Sequence, residues 1–461
     1  MTSRKILDAC FWFVVVVTLL AALPLGSARP WAWNTLSLLY ALTGLVVAGV
    51  LVKNPRVAGN APPLMPLLFP VSAYLLVLLW AMLQTLPIWP ESLAHPLWAQ
   101  ASAALEMPVS GRIAVDPQTA TASFVRLLGY LYLFLMVVFM ANSRERARQV
   151  LHAVVLGTAL YAAYGLIVYF SGNETVLWFD KWAYKKDLTA TFVNRNSCAT
   201  FMGMGVLTVA GLLMQHMVKN NRFEYGLRSG MRYMLLALLT PYALWLLSSF
   251  TLLLTALLLT NSRAGFVSVG IALIVLALLI VPKKRWSVAA KMALTGVIAA
   301  GLLLFLEAQS SKTAGRLLET DLAEEGRPAV FKLTFAAIEG APLTGHGLGG
   351  FLNAFALYRD GTVIGTYDKA HSDYLELAFD LGIPAALLFT AVFVAVLWRV
   401  RRGWQARSNQ RYVQAIALAV SLQVFLHALV DFSLQIPAVA ALFTLLLAAA
   451  YARSFPAVRE R

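Results

Sequence analysis

Apolar residues in this chain run in blocks of roughly 20, separated by polar breaks, with no amphipathic period inside the blocks. Runs of that length match an α-helix crossing the hydrocarbon core of a bilayer. Twelve such spans can be placed, at 9–27, 33–53, 64–86, 122–141, 149–171, 191–217, 232–260, 265–282, 288–306, 374–398, 412–432 and 436–453. The seventh is long enough for one tilted helix or a kinked pair. Thr240-Pro241 is its candidate bend, because proline removes a backbone donor and crowds the preceding turn. The first span reads as retained, since its apolar run 6–25 exceeds the roughly 7–15 residues of a signal-peptide core. The expected fold is therefore an all-α integral membrane protein of about 12 transmembrane helices, one polytopic domain over 1–461.

Three polar breaks are long enough to hold structure of their own. The first, 87–121, is proline-rich and carries Trp89 and Trp98, residues suited to the membrane interface. The second, 171–188, carries Asp180, Lys181, Lys185, Lys186 and Asp187. The third and longest, 307–371, has helix-like stretches at 315–325 and 329–339, then a glycine-dense turn from Gly345 to Gly350.

Composition agrees with the pattern: 60% of residues are hydrophobic, 13% are charged, and mean hydropathy is +0.71. The net charge of +15 is distributed unevenly. With the amino terminus inside, 23 of the 37 basic residues fall on the cytoplasmic side with four acids. The outer side then holds 14 bases and 18 acids. Every loop obeys the positive-inside rule under this arrangement, and both termini are expected in the cytoplasm. The basic balance reflects topology and attraction to anionic membrane lipids, and no nucleic-acid partner is expected. Cys10 and Cys198 lie in different spans, so no disulfide framework is implied.

Inner connections are short and basic, with no acid/base pair and no P-loop, which argues against ATP-driven transport by this chain alone. Candidate chemistry collects on the outer side. Arg195 lies in Asn194-Arg195-Asn196 at a span mouth, Arg263 in Asn261-Ser262-Arg263-Ala264-Gly265 at the next, and Arg327 follows Gly326 in the long loop. A guanidinium fork suits bidentate contact with phosphate and cannot escape burial by deprotonating. Each arginine taken singly also fits snorkelling to lipid headgroups or pairing with a loop carboxylate.

His371 heads His371-Ser372-Asp373-Tyr374-Leu375-Glu376 at the start of the tenth span, with Asp373, Glu376 and Asp380 on one helical face. An imidazole there can take a proton from an alcohol, with a carboxylate to orient it. An interfacial histidine capping loop hydrogen bonds is the plainer alternative. Gly345-His346-Gly347-Leu348-Gly349-Gly350 superficially matches a dinucleotide fingerprint but lacks the strand and spaced acid of a βαβ unit. Its glycines fit a tight turn or a close approach to a ligand. His346, like the remaining histidines, reads as structural. The acids Glu319, Asp321, Glu324 and Glu325 read as a solvated helix face rather than a metal site.

In this order and spacing the motifs resemble the O-antigen ligase and polymerase superfamily of membrane glycosyltransferases. The series is Asn194-Arg195-Asn196, Asn261 to Gly265, Gly326-Arg327, Pro342 to Gly349 with Phe351, and Ala370 to Leu375 leading into Gly382. It covers 247–384 well, the core region, and includes the end of the 307–371 periplasmic loop. Ser372 departs from the asparagine that many members carry after the histidine.

The resemblance implies a GT-C-like helical fold and transfer of a glycan from an undecaprenyl-pyrophosphate donor to an acceptor hydroxyl. It places the reaction at the periplasmic face of a bacterial inner membrane, without cofactor or metal. It makes Arg195, Arg263 and Arg327 pyrophosphate ligands and His371 the acid/base residue, with Asn194, Asn196, Asp373 and Glu376 in support. The acceptor is another lipid-linked glycan in a polymerase, slightly favoured here, or a lipid A core in a ligase. A secondary transporter or lipid-linked oligosaccharide flippase is the competing class. It is disfavoured because the span centres are almost free of charge and the halves show no symmetry. A non-catalytic assembly partner would leave the rim arginines without a task.

Overall fold

A computed structural model describes residues 2–55, 63–220, 238–281, 326–363, 365–406 and 411–455. The expected ninth span, the helix-like stretch 315–325 and the acids Glu319 to Glu325 lie outside them. The described residues form helices α1 (Ser3–Leu20), α2 (Pro30–Lys53), α3 (Met65–Thr85), α4 (Leu97–Leu105), α5 (Pro117–Met140) and α6 (Arg144–Phe170). A two-residue hairpin, β1 (Thr175–Val176) with β2 (Phe179–Asp180), occupies the second polar break. Then come α7 (Arg195–Asn220), α8 (Pro241–Leu259), α9 (Arg263–Ile280), α10 (Arg327–Gly340), α11 (Phe351–Phe355) and α12 (Asp373–Leu381). The chain closes with α13 (Ile383–Ala406), α14 (Tyr412–His427) and α15 (Pro437–Ala452).

Among the described residues, eight helices are long and apolar enough to cross a membrane: α2, α3, α5, α6, α7, α8, α9 and α13. The protein is an all-α integral membrane protein. Within the bundle α7 is central, with 89% of its spanning window buried against 17% for α13. It packs on α6, α8, α9, α14 and α15. Small residues permit that contact, as is usual between membrane helices. A Cβ on Gly211 would come within 2.3 Å of Ile416 on α14.

Three expected spans take a different form. The seventh starts at Pro241, and Thr240 caps it by accepting from the Ala243 N–H at 3.3 Å. Proline at the first helical position needs no donor, so Thr240-Pro241 begins a helix, while residues 232–237 of that span lie outside the described ones. The tenth is broken. Gly382 takes φ 79° and ψ 160°, and a Cβ there would meet the Leu343 carbonyl oxygen at 2.5 Å. The acidic segment of α12 therefore ends before the membrane helix α13 begins.

The eleventh stops at His427, short of the expected 432, and α15 starts only at Pro437. Both helices have 16 residues, about 24 Å, which is less than a full bilayer crossing. Between them, Ala428 to Ile436 is a polar turn built on the 3₁₀ segment Ser433–Gln435. Irregular backbone of this kind is tolerated where protein surrounds it. Asp431 is fully buried here.

Candidate active site

Arg195, Arg263 and Arg327 share a feature that the sequence pattern did not reveal: each is the first residue of its helix, α7, α9 and α10. The N-terminus of a helix carries unsatisfied N–H groups and a partial positive charge. A cation there is unfavourable unless an anion joins it, and the combination of guanidinium and free N–H groups suits phosphate.

Arg195 is buried, and its Nη1 donates to Asp187 Oδ2 at 2.7 Å. The other Asp187 oxygen accepts from Asn261 Nδ2 at 2.6 Å, and its carbonyl accepts from Lys181 Nζ at 2.8 Å. One carboxylate thus ties the second polar break, the mouth of α7 and the turn before Arg263 into one unit. Burial lowers the pKa of the Lys181 ammonium, with the nearby acids Asp187 and Glu174 opposing the shift.

Asn194 and Asn196 lock the same corner. Asn194 Oδ1 accepts from the Asn196 N–H at 2.7 Å. Asn196 Oδ1 accepts from Ser262 Oγ at 2.8 Å, and its Nδ2 donates to Asp431 Oδ1 at 3.1 Å. Asp431 also accepts from Ser433 Oγ, and Ser433 accepts from Thr200 Oγ1 at 2.9 Å. The polar turn is therefore bonded directly to the mouth of α7, and through Asn196 to the mouth of α9. Arg263 itself is exposed at the start of α9.

His371 lies on the other side of Asp431. Its φ of +54° is in the left-handed region, unusual for a residue with a side chain. The ring packs edge-on to Phe432, with centroids 5.1 Å apart, and to Tyr367 at 5.8 Å. Nδ1 is enclosed and has no hydrogen-bond partner among the described residues. Burial first, then the positive charge of Arg327, pushes the His371 pKa down, while Asp431 and Asp368 oppose them. The imidazole is thereby held neutral near pH 7, with a lone pair available. Arg327 is half-buried, and its Nε also lacks a hydrogen-bond partner among the described residues.

The acids of α12 face inward. Glu376 is fully buried, accepting from Lys369 Nζ at 3.0 Å and from the Ala370 N–H at 2.9 Å, so it clamps the residues just before His371. Asp373 accepts from the Leu434 N–H at 3.1 Å, and its own N–H donates to the Ala428 carbonyl at 3.0 Å. Burial, reinforced by Glu376, raises the pKa of Asp373 and of Asp380 well above the usual carboxylate range. Neither acid hydrogen-bonds the imidazole. Ser372 is buried and makes no side-chain cap to α12.

The glycine-dense turn serves the fold. N–H groups of His346 and Gly347 donate to the carbonyls of Phe379 and Asp380, both at 2.9 Å, and Gly349 N–H donates to Asp380 Oδ2 at 2.6 Å. Those donors clasp the end of α12 and are not turned toward a ligand. His346 is buried against Phe379, ring centroids 4.4 Å apart, and burial lowers its pKa to about 4. Among the described residues, no group of three or more His, Cys, Asp or Glu side chains could hold a metal ion.

The structure thus joins Arg195, Asn194, Asn196 and the Asn261 to Arg263 turn by hydrogen bonds, and brings Arg327 and His371 within electrostatic reach of each other. Asp187 and Asp431, which link these groups, were not singled out from the sequence. Each is an unremarkable acid in its local context, and only tertiary contacts give it a role. In comparison with known proteins, residues 248–390 match the family model described as O-antigen ligase. No curated protein matches the chain. The matched segment contains Arg263, Arg327 and His371, while Arg195 lies outside it. Over residues 248–390, within its helical membrane fold, the chain is similar to the O-antigen ligase family.

Proposed function

We propose that the protein transfers a glycan from an undecaprenyl-pyrophosphate donor to a glycan acceptor hydroxyl at the periplasmic face of the bacterial inner membrane. The observation that carries this reading is the placement of three arginines at three helix N-termini, one of them, Arg327, within electrostatic reach of the buried His371 imidazole. The arginines bind the donor pyrophosphate. His371 takes the acceptor hydroxyl proton as that oxygen attacks the anomeric carbon. The bond from that carbon to the pyrophosphate oxygen breaks, its electrons leave with the pyrophosphate, and the configuration inverts. Guanidinium charges fixed before the reaction stabilise the departing anion, which is where preorganised charge lowers a barrier most. Glu376 fixes the chain just before His371, and the Asp431 charge acts on the imidazole through space. The matched core, which contains the 307–371 loop, acts as the catalytic part of one polytopic domain.

Purified protein supplied with polyprenyl-pyrophosphate oligosaccharide, and with either lipid A core or a second lipid-linked unit as acceptor, tests this directly. A ladder of lengthening glycan on a gel identifies a polymerase, and a single step onto lipid A core identifies a ligase. The His371→Ala variant should give neither product while expressing normally. Full product from that variant would remove the acid/base role.

A further inference from the structure

A cavity of about 330 Å³ lies between α3, α5, α13, α14 and α15, in the range of sites that hold small molecules. Its walls are mostly hydrocarbon, including Tyr74, Leu131, Phe393 and Leu447. From Arg126 to Phe134 on α5 it follows the helix for about 12 Å, so it is elongated along the bundle. Val394, 62% exposed, and Tyr374, 38% exposed, form part of its rim. On membrane helices, exposed apolar rim residues face lipid, so the opening is sideways into the bilayer. An empty apolar space of this size is costly to maintain.

Polar groups gather at one end. Arg126 donates from Nη1 to the Gln435 carbonyl and from Nη2 to Gln435 Oε1, both at 3.2 Å. Asp373 and Asp380 line the same end, both more than nine-tenths buried. Each has one oxygen bonded to the backbone, while its Oδ1 has no hydrogen-bond partner among the described residues. The Tyr130 hydroxyl on the wall likewise lacks one. A buried polar atom left unsatisfied is unfavourable, and three around one cavity point to a ligand that satisfies them.

The polar turn separates this cavity from the donor arginines. Asp431 and Ser433 reach toward Asn196 and Thr200, whereas the Leu434 N–H and Gln435 reach toward Asp373 and Arg126. His371 stands beside that divider, against Phe432.

We propose that this cavity seats the hydrocarbon chain of a second lipid, the carrier of the acceptor, with its phosphate end at Arg126, Asp373 and Asp380. Two lipid-borne substrates would then approach His371 from opposite faces of one turn. Burial raises the pKa of both carboxyls, which favours the protonated form that donates hydrogen bonds to a phosphate. Assignment to the acceptor rests on the transfer reaction proposed above, whereas occupancy by a lipid chain does not.

Photolabelling the full-length protein in detergent tests the cavity, using an isoprenoid phosphate and a phosphatidic acid, each with a diazirine in its chain. Adducts mapped by mass spectrometry should fall on the cavity-lining parts of α3, α5 and α13. Leu131→Trp, which fills the cavity, should reduce them at least tenfold, and Arg126→Gln at least threefold. If Leu131→Trp does not fold, as judged by its melting curve, Val392→Phe supplies the same obstruction. Labelling by the isoprenoid probe assigns the chain to a polyprenyl carrier, and labelling by the acyl probe assigns it to an acylated lipid. His371→Ala should keep the adducts while losing transfer, so failure of the reaction and failure of the cavity are read separately. Adducts confined to α7 and α9, or unchanged when the cavity is filled, would overturn the proposal.

Discussion

The Arg195 guanidinium and the Asp187 carboxylate meet at 2.7 Å, with side chains only 9% and 5% exposed. Removing one partner of such a pair leaves a buried charge uncompensated, at a cost of about 3–5 kcal/mol. Asp187→Ala should therefore lower the melting temperature markedly and remove the hydrogen bond to Asn261 as well. Adding Arg195→Ala on top should cost less than it does alone, because the ion pair is already broken. Additive losses across that double-mutant cycle would show that the two side chains are not coupled.

If His371 abstracts the acceptor proton as proposed, its titration sets the pH dependence of transfer. Its pKa lies below the usual histidine value of about 6.5, and the neutral form is the active base. Rate should therefore be flat from neutral pH upward and fall only on acidification through a pKa under 6.5. A limb centred above that value would contradict the buried, cation-flanked imidazole.

Arg327 contributes to that depression through its charge. Arg327→Ala should move the acidic limb toward higher pH, in addition to slowing transfer by about 10²-fold through the lost phosphate contact. A slower enzyme with an unshifted limb would leave Arg327 with a binding role alone.

Asp380 is buried, and its raised pKa makes wild-type stability pH-dependent. The unfolded carboxyl ionises near pH 4 while the folded one stays protonated, so its contribution falls as pH rises from about 4 toward the folded value. Asp380→Asn mimics the protonated acid and keeps an acceptor for Gly349. Melting curves should show the variant gaining on wild type between pH 5 and 8, with no gap at pH 4.

If fixed guanidinium groups stabilise the departing pyrophosphate, a chelator should leave the initial rate unchanged. Loss of turnover in EDTA, restored by magnesium, would transfer that task to a cation.

The membrane helices were legible because hydrocarbon thickness imposes a length that the sequence displays directly. Where they break was less so. The apolar run through 374–398 looks continuous, yet Gly382 followed by Pro384 at the second position of α13 divides it. That glycine was visible in the sequence, but its positive φ depends on packing against the Leu343 carbonyl. The polar turn between α14 and α15 was hidden in the same way, since Phe432, Leu434 and Ile436 keep the local pattern apolar.

At the candidate site, the arginines, asparagines and histidine were found by residue type and order. Arg195 and Arg263 were expected at span mouths, but that all three arginines are the first residue of a helix was not, because helix boundaries are the least certain part of any pattern. Asp373 and Glu376 were expected to orient the imidazole. In the structure Asp373 holds the polar turn and Glu376 the chain just before His371.

The backbone at His371 carries one more consequence. Glycine and asparagine are at ease at a φ of +54°, whereas an imidazole-bearing residue is not. His371→Gly should therefore melt at a higher temperature than wild type while transferring nothing. Random mutagenesis screened for thermal robustness alone would drift toward that inert form, so any stabilised version must be selected by turnover.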